Sequence, residues 1–206
     1  RVARSQVRSG RSIAYRPGAR QPPSTIVATR AARMRAFCYS RPVTVHTLGH
    51  STLPAADFLA LLRAHALAAV ADVRRFPASR RHPHFGREAL ADTLATAGVT
   101  YLWLPGLGGR RTGRPDSPHV GWRSASFRAY ADHMETGEFA DGLRALLALA
   151  AGRPTAVLCA EAVPWRCHRQ LIADVLLACG HEVLHVLGPA TPSAHRLAAF
   201  ARVEGT

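Results

Sequence analysis

From Pro42 onward, short apolar runs alternate with segments that have the hydrophobic period of a helix. The runs at 43–48, 68–73, 99–104, 155–160 and 182–187 are apolar on both faces, which is typical of buried parallel strands. Helices are predicted at 54–67, 87–97, 124–135, 138–151, 167–178 and 194–203. Parallel strands joined by helical crossovers form a sheet that is covered on both sides. We therefore predict an α/β fold, a three-layer, mostly parallel β-sheet with helices on both faces.

The first 36 residues differ in composition from the rest of the chain. All 27 basic residues are arginines, and nine of them lie before Ala36 with no acidic residue among them. This segment has no regular hydrophobic period, so we predict a disordered Arg-rich extension over residues 1–36 and a single α/β domain over residues 37–206. Met34 is an alternative start of the natural chain. Most of the net charge of +14 belongs to the extension, so nucleic-acid binding is expected there before it is expected in the domain.

The sequence predicts a cytoplasmic protein that does not bind membranes. No apolar run approaches the roughly 18 residues that a membrane-spanning helix needs. The four cysteines are too few and too scattered for a disulfide framework, and we expect them to be reduced. The pattern leaves the oligomeric state open.

Polar residues are concentrated where the predicted strands end and the next helices begin. In open parallel sheets, ligands bind in the crevice outside the carboxyl ends of the strands. Many of these residues are arginines, and helix-start amides also favour anions, so an anionic small molecule or a nucleotide is the expected ligand. The candidates for catalysis are Glu161, His168, His50 and Cys167, and those for substrate binding are Arg74, Arg80, Arg110, Arg169, Ser51 and Asp72.

Five motifs in this chain follow one another in an order that is specific to one family. They are T-L-G-H-S at 47–51, A-D-V-R-R-F-P-A-S-R at 71–80, H-F-G-R-E-A-L at 84–90, L-P-G-L-G-G-R at 104–110 and L-C-A-E-A-V-P-W-R-C-H-R at 158–169. From about Val43 to Leu187 the chain resembles the bacterial and archaeal proteins grouped as domain of unknown function 488. The resemblance implies an α/β fold and a site at Glu161, Cys167, His168 and Arg169, with His50 and Arg74 nearby. It implies no particular reaction.

Three functions remain open at this point. The first is a small enzyme in which Glu161, assisted by His168 or His50, acts as general acid or base while arginines bind an anionic substrate. The second is a nucleic-acid-binding or interaction protein, in which a tryptophan stacks on bases. The third is sulfur or phosphate transfer through Cys159, since the A-D-V-R and V-L-C segments are similar to those of rhodanese-like domains. The first is preferred because the polar groups converge on one edge of the sheet.

A metal site is a further possibility that the sequence pattern does not favour. Cys159, Cys167, His168 and His50 could supply four zinc ligands. The spacing of the two cysteines matches no common zinc motif, however, and adjacent residues seldom bind one ion together. We therefore predict no metal ligands and leave the cofactor open.

Overall fold

The computed structural model describes residues 12–15, 41–197 and 201–204, which contain eight strands. They are β1 (Ser12–Tyr15), β2 (Thr44–Gly49), β3 (Ala69–Asp72), β4 (Thr100–Trp103), β5 (Thr155–Cys159), β6 (Glu182–Val186), β7 (Ser193–Ala194) and β8 (Ala201–Glu204). Six of them form one sheet in the order β4-β3-β5-β2-β6-β7. All neighbours in this sheet are parallel except β6 and β7. The predicted α/β fold with a mostly parallel sheet is confirmed.

Five helices cover the two faces of this sheet within the described residues. They are α1 (Ala55–Ala64), α2 (Arg87–Thr96), α3 (Ala125–His133), α4 (Gly137–Gly152) and α5 (Arg169–Ala178). Apolar residues of α1 and α2 form one core cluster with Val70 and Leu158 of the sheet. Those of α3, α4 and α5 form a second cluster with Ala71 and Val157. Because alternate residues of a strand point to opposite faces, the two clusters lie on opposite sides of the sheet, as three layers require.

The three central strands end side by side, which determines where the loops that follow them meet. In the parallel register, Gly49 at the end of β2 pairs with Cys159 at the end of β5, and Asp72 at the end of β3 pairs with Leu158. Every residue of β3 and β5 is buried, which matches the continuous apolar runs seen in the sequence. The residues that follow these three strands are therefore neighbours in space.

The predicted helix at 194–203 is wrong for the residues that the structure describes. Ser193 and Ala194 form the antiparallel edge strand β7 beside β6, and β8 begins at Ala201. His195, which follows β7, is buried and hydrogen-bonds His185 (3.0 Å) and Asp174 (2.8 Å). These contacts and the pairing with β6 hold Ser193 and Ala194 extended, and they outweigh the helical preference that the alanines and the leucine give this stretch of sequence.

The predicted extension contains one strand that its composition did not indicate. Residues of β1 pair antiparallel with β8, from Ser12 opposite Glu204 to Tyr15 opposite Ala201. The pairing partner lies almost 190 residues away, so no local pattern could predict it. The remainder of the predicted disordered segment, and Met34 with it, lies outside the described residues. None of the described helices is long and apolar enough to cross a membrane.

Candidate functional site

A cavity of about 490 Å³ opens where β2, β3 and β5 end. Seven of the ten residues selected from the sequence line it, namely His50, Ser51, Arg74, Arg110, Glu161, Cys167 and His168. Asp72 and Arg169 are buried and hydrogen-bond lining residues, whereas Arg80 is exposed and lies outside the cavity lining. The strand ends thus bring most of the selected residues to one site, as the rule for parallel sheets predicts.

A buried ion pair between Asp72 and Arg74 forms one wall of the cavity. Asp72 Oδ1 accepts hydrogen bonds from the Arg74 backbone N–H (3.0 Å) and Nε (2.8 Å), and Oδ2 accepts one from Nη2 (2.5 Å). The Tyr101 hydroxyl also donates to Oδ2 (2.8 Å), and Arg74 Nη1 donates to the Phe85 carbonyl (2.7 Å). Arg74 is thus held by protein groups, which suits a fixed wall residue better than a ligand for a free anion.

His50 is neutral and has both ring nitrogens engaged. Nδ1 lies 3.0 Å from the Ser51 carbonyl, which can only accept, so Nδ1 carries the proton. Nε2 accepts from Arg74 Nη1 at 3.3 Å, and the ring stacks on Phe85. Burial and the adjacent Arg74 guanidinium lower the pKa of His50 from 6.5 to about 4. His50 therefore has no free nitrogen with which to take up a substrate proton.

The lowered pKa of His50 predicts a loss of stability in weak acid. The neutral ring contributes stability that is fully present above pH 6.5 and is lost as the pH falls toward the folded-state pKa of about 4. When the pH is lowered from 7 to 5, the free energy of unfolding of the unsubstituted chain should fall by about 1–2 kcal/mol more than that of His50→Gln. Urea unfolding at both pH values measures this difference. An equal fall in both proteins would contradict the assignment.

Cys159, Cys167 and His168 form a compact cluster on the cavity wall. Nδ1 of His168 lies 3.6 Å from the Cys167 Sγ and 3.9 Å from the Cys159 Sγ, and the three atoms lie within 4.8 Å of one another. Both cysteines are buried, free thiols. Nε2 of His168 contacts the Val73 carbonyl at 3.1 Å, and the ring packs beside Tyr130. Because these atom types are those that bind soft metals, the cluster could hold an ion.

Arg169 lies behind this cluster and is almost completely buried. Its Nε donates to the Cys167 Sγ at 3.4 Å, and its Nη2 donates to the carbonyls of Glu161 and Ala162. Together with the Cys159 thiol and His168, this guanidinium lowers the pKa of Cys167 well below its usual value. Contact with Cys167 and burial raise the pKa of Cys159 instead. Any negative charge of the pair is therefore expected on Cys167.

The expectation that all four cysteines are reduced is wrong for Cys179. Cys179 is disulfide-bonded. The number and spacing of cysteines argue against a framework of several bridges, but they do not exclude a single one.

Two glycines allow the loops around the cluster to approach each other closely. A Cβ at Gly49 would overlap the Glu161 carbonyl oxygen, and one at Gly109 would lie 2.9 Å from the His168 Nδ1. Neither glycine has a positive φ, so the requirement is for space and not for a left-handed backbone. The glycines of the T-L-G-H-S and L-P-G-L-G-G-R motifs thus make room for the loop that carries Glu161 and His168.

Glu161 is exposed at the cavity, and its carboxylate forms no hydrogen bond or ion pair with a described residue. The sequence predicts that an arginine or helix-start amides hold this carboxylate, because a carboxylate at the end of a buried strand is costly without partners. Arg169 does contact Glu161, but it binds the backbone carbonyl. The side chain is consequently free to face a ligand.

A scan against protein-family models matches residues 54–176 to Domain of unknown function DUF488. The chain belongs to the DUF488 family. The match includes Arg74, Arg110, Glu161, Cys167 and His168, whereas β2 and the His50 loop lie outside it. Neither the curated proteins nor the solved structures contain a match to this DUF488 chain.

Among the lining residues of this DUF488 cavity that were not selected from the sequence, three have side chains that bear on its chemistry, and the first of them had been considered in other roles. They are Cys159, Tyr130 and Arg166, all of which face the cavity. Cys159 resembles a core residue because it ends an apolar strand, and Tyr130 resembles one because it is buried on α3. Arg166 is one of many surface arginines. Its position seven residues after Cys159, close to the selected Cys167, was the one available signal.

The tryptophans considered for base stacking have different environments. Trp103 donates to the Arg74 carbonyl (2.9 Å) and lies under Arg87, and Trp122 stacks on Phe127. Trp165 is 61% exposed and is the one of the three available to stack on a nucleic-acid base.

Proposed function

We propose that this DUF488 protein is a small enzyme that acts on an anionic substrate of about nucleotide size bound in the cavity. The observation that carries the proposal is that exposed arginines, a carboxylate with no partner among the described residues and the cluster of Cys159, Cys167 and His168 share one cavity. Convergence of cationic, acid–base and nucleophilic or metal-binding groups in a cleft is typical of catalytic sites.

The charge of the cavity supports an anionic substrate. Arg75, Arg110 and Arg166 line it in addition to the paired Arg74, and Glu161 is the single acid among the described lining residues. Arg110 and Arg166 are exposed, and no described carboxylate forms an ion pair with either. Guanidinium groups bind phosphate and carboxylate oxygens through paired hydrogen bonds. We assign anion binding to Arg110 and Arg166.

Glu161 is the group that we assign to general acid–base catalysis. His50 has no free ring nitrogen, and the Nδ1 of His168 faces the two cysteine sulfurs. The Glu161 carboxylate is exposed at the cavity and has no partner among the described residues. It can approach a bound substrate without first breaking a contact with the protein.

The proposal is tested by measuring pyrophosphate binding with isothermal titration calorimetry. Arg110→Ala and Arg166→Ala should each weaken binding about tenfold or more, because a charge-assisted hydrogen bond contributes about 1.5–3 kcal/mol. Glu161→Gln should bind at least as tightly as the unsubstituted chain, since it removes a negative charge beside the anion. Arg63→Ala is the matched control, because Arg63 is an exposed arginine in the last turn of α1, away from the cavity.

If Arg63→Ala and Arg110→Ala weakened pyrophosphate binding equally, the binding would depend on the overall charge of the protein. This result would contradict the assigned site. Binding of a single-stranded oligonucleotide that depends on Trp165 and not on Arg110 would instead support the nucleic-acid-binding alternative.

A further inference from the structure

The cluster of Cys159, Cys167 and His168 has the geometry of a metal site. We propose that these three residues bind one zinc ion, whose fourth coordination position opens to the cavity. This inference deepens the proposed function. The role of the ion in catalysis rests on that function, whereas zinc binding itself is measured separately. Three protein ligands with an open fourth position are the arrangement of catalytic zinc sites.

The distances within the cluster fit tetrahedral coordination. Zinc–sulfur bonds of about 2.3 Å and zinc–nitrogen bonds of about 2.0–2.1 Å at tetrahedral angles separate the ligand atoms by about 3.5–3.8 Å. The two sulfur–nitrogen distances are 3.6 Å and 3.9 Å, and all three atoms lie within 4.8 Å of one another. Shifts of at most about 1 Å would bring the three atoms around one ion.

The hydrogen bond of His168 favours the tautomer that a metal ligand requires. Its Nε2 lies 3.1 Å from the Val73 carbonyl oxygen, which can only accept a hydrogen bond. Nε2 therefore carries the proton, and the lone pair of Nδ1 points toward the two sulfurs. A backbone carbonyl that accepts from the other ring nitrogen is a common partner of metal-bound histidine.

A buried cation lies beside Cys167, which would bind the zinc ion as a thiolate. Arg169 is 1% exposed and donates from Nε to the Cys167 Sγ at 3.4 Å. Its other contacts to the loop are with the backbone carbonyls of Glu161 and Ala162. No carboxylate among the described residues forms an ion pair with this guanidinium. A buried charge of this kind favours an anionic sulfur beside it.

The local backbone explains how the adjacent residues Cys167 and His168 can bind one ion. Neighbouring side chains of a regular strand point to opposite faces. Here Cys167 is extended (φ −135°, ψ 148°), whereas His168 is helical (φ −57°, ψ −15°) because α5 begins at the next residue. This change of conformation brings the Cys167 Sγ and the His168 Nδ1 to the same side. Adjacent residues seldom bind one ion together, and the change from extended to helical backbone is what makes it possible at this junction.

The ligand types select the metal and leave one position for solvent or substrate. Thiolate and imidazole groups favour zinc over magnesium or calcium, which prefer oxygen ligands. His50 cannot complete the site, because both of its ring nitrogens are engaged. The cavity lies on the open side of the cluster, so a water molecule or a substrate oxygen would take the fourth position.

The first experiment measures zinc affinity by competition with a chromophoric chelator after the full chain has been stripped of metal. We expect one zinc ion per chain, with the affinity lowered at least about 100-fold in Cys159→Ser, Cys167→Ser and His168→Gln, since loss of an outer partner alone costs about 10–100-fold. His82→Gln is the control, because His82 also lines the cavity but lies outside the cluster. Unchanged affinity in His168→Gln would overturn the proposal.

The second experiment uses the unsubstituted chain, so it does not depend on whether the variants fold. Stoichiometric zinc should protect Cys159 and Cys167 from N-ethylmaleimide, as read by peptide mass spectrometry, and excess chelator should restore alkylation. Equal alkylation with and without zinc would overturn the zinc site. Zinc protection combined with absent pyrophosphate binding would support the zinc site and remove only the proposed function.

Discussion

Replacing Asp72 with Asn is expected to lower the free energy of unfolding by about 3–5 kcal/mol, which is the typical cost of removing one partner of a buried ion pair. The Asp72 side chain is 0% exposed and accepts from Arg74 and the Tyr101 hydroxyl. Asn keeps the shape but leaves the buried Arg74 guanidinium without a counter-charge. Urea unfolding followed by circular dichroism measures the loss.

Tyr101→Phe is the control for this substitution. It removes one hydrogen bond to Asp72 and leaves the ion pair intact, so a loss of about 1 kcal/mol is expected. If Asp72→Asn lowered the free energy of unfolding no more than Tyr101→Phe does, the ion pair would not be the interaction that fixes Arg74 in the cavity wall.

Gly49→Ala is expected to cost about 1–3 kcal/mol and to displace the loop that carries Glu161. Its new Cβ would overlap the Glu161 carbonyl oxygen and lie 2.8 Å from the Arg169 Nη2. Because Arg169 also contacts Cys167, the substitution should weaken zinc binding as well as stability. Thermal unfolding and the chelator competition assay together measure both effects.

Gly152→Ala provides the matched control, because a Cβ there meets no atom within 4 Å at the end of α4. It should leave zinc affinity unchanged and alter stability little. If the two substitutions had equal effects on stability and zinc affinity, the cause would be the loss of glycine itself and not the overlap of the new Cβ at Gly49.

The sheet could be predicted from sequence because its strands are continuous apolar runs between helical segments. Both faces of the central strands are buried, and this is why their residues form uninterrupted apolar runs. On one face lie Val70 and Leu158, and on the other lie Ala71 and Val157. The pair β1–β8 was not predictable, because its two strands lie at opposite ends of the chain. The edge strand β7 was missed for a different reason: it has only two residues, and the buried bonds from the following His195 to His185 and Asp174 form only in the folded chain.

The position of the site could be predicted, but the roles of its arginines could not. Arg110 and Arg111 are adjacent in sequence, yet Arg111 pairs with Glu138 and donates to the Pro105 and Gly108 carbonyls, whereas Arg110 is exposed at the cavity. Arg74 likewise is bound to Asp72. Which arginine is free depends on acceptors that only the folded chain brings near.

The sequence named Cys159, Cys167 and His168 as possible zinc ligands, but it could not show that they form a cluster. Seven residues separate Cys159 from Cys167, and the intervening loop, rather than a short metal-binding motif, returns the chain to the strand end. Hydrogen bonds from Arg169 to the Glu161 and Ala162 carbonyls hold that loop. The distance between the two sulfurs is therefore a property of tertiary structure.

A crystal structure of the chain with bound pyrophosphate tests the central claim most directly. The anion should lie in the cavity within hydrogen-bonding distance of the Arg110 and Arg166 guanidinium groups, beside the cluster of Cys159, Cys167 and His168. Pyrophosphate bound elsewhere on the surface, with this cavity empty at a saturating concentration, would contradict the assignment of the cavity as the substrate site.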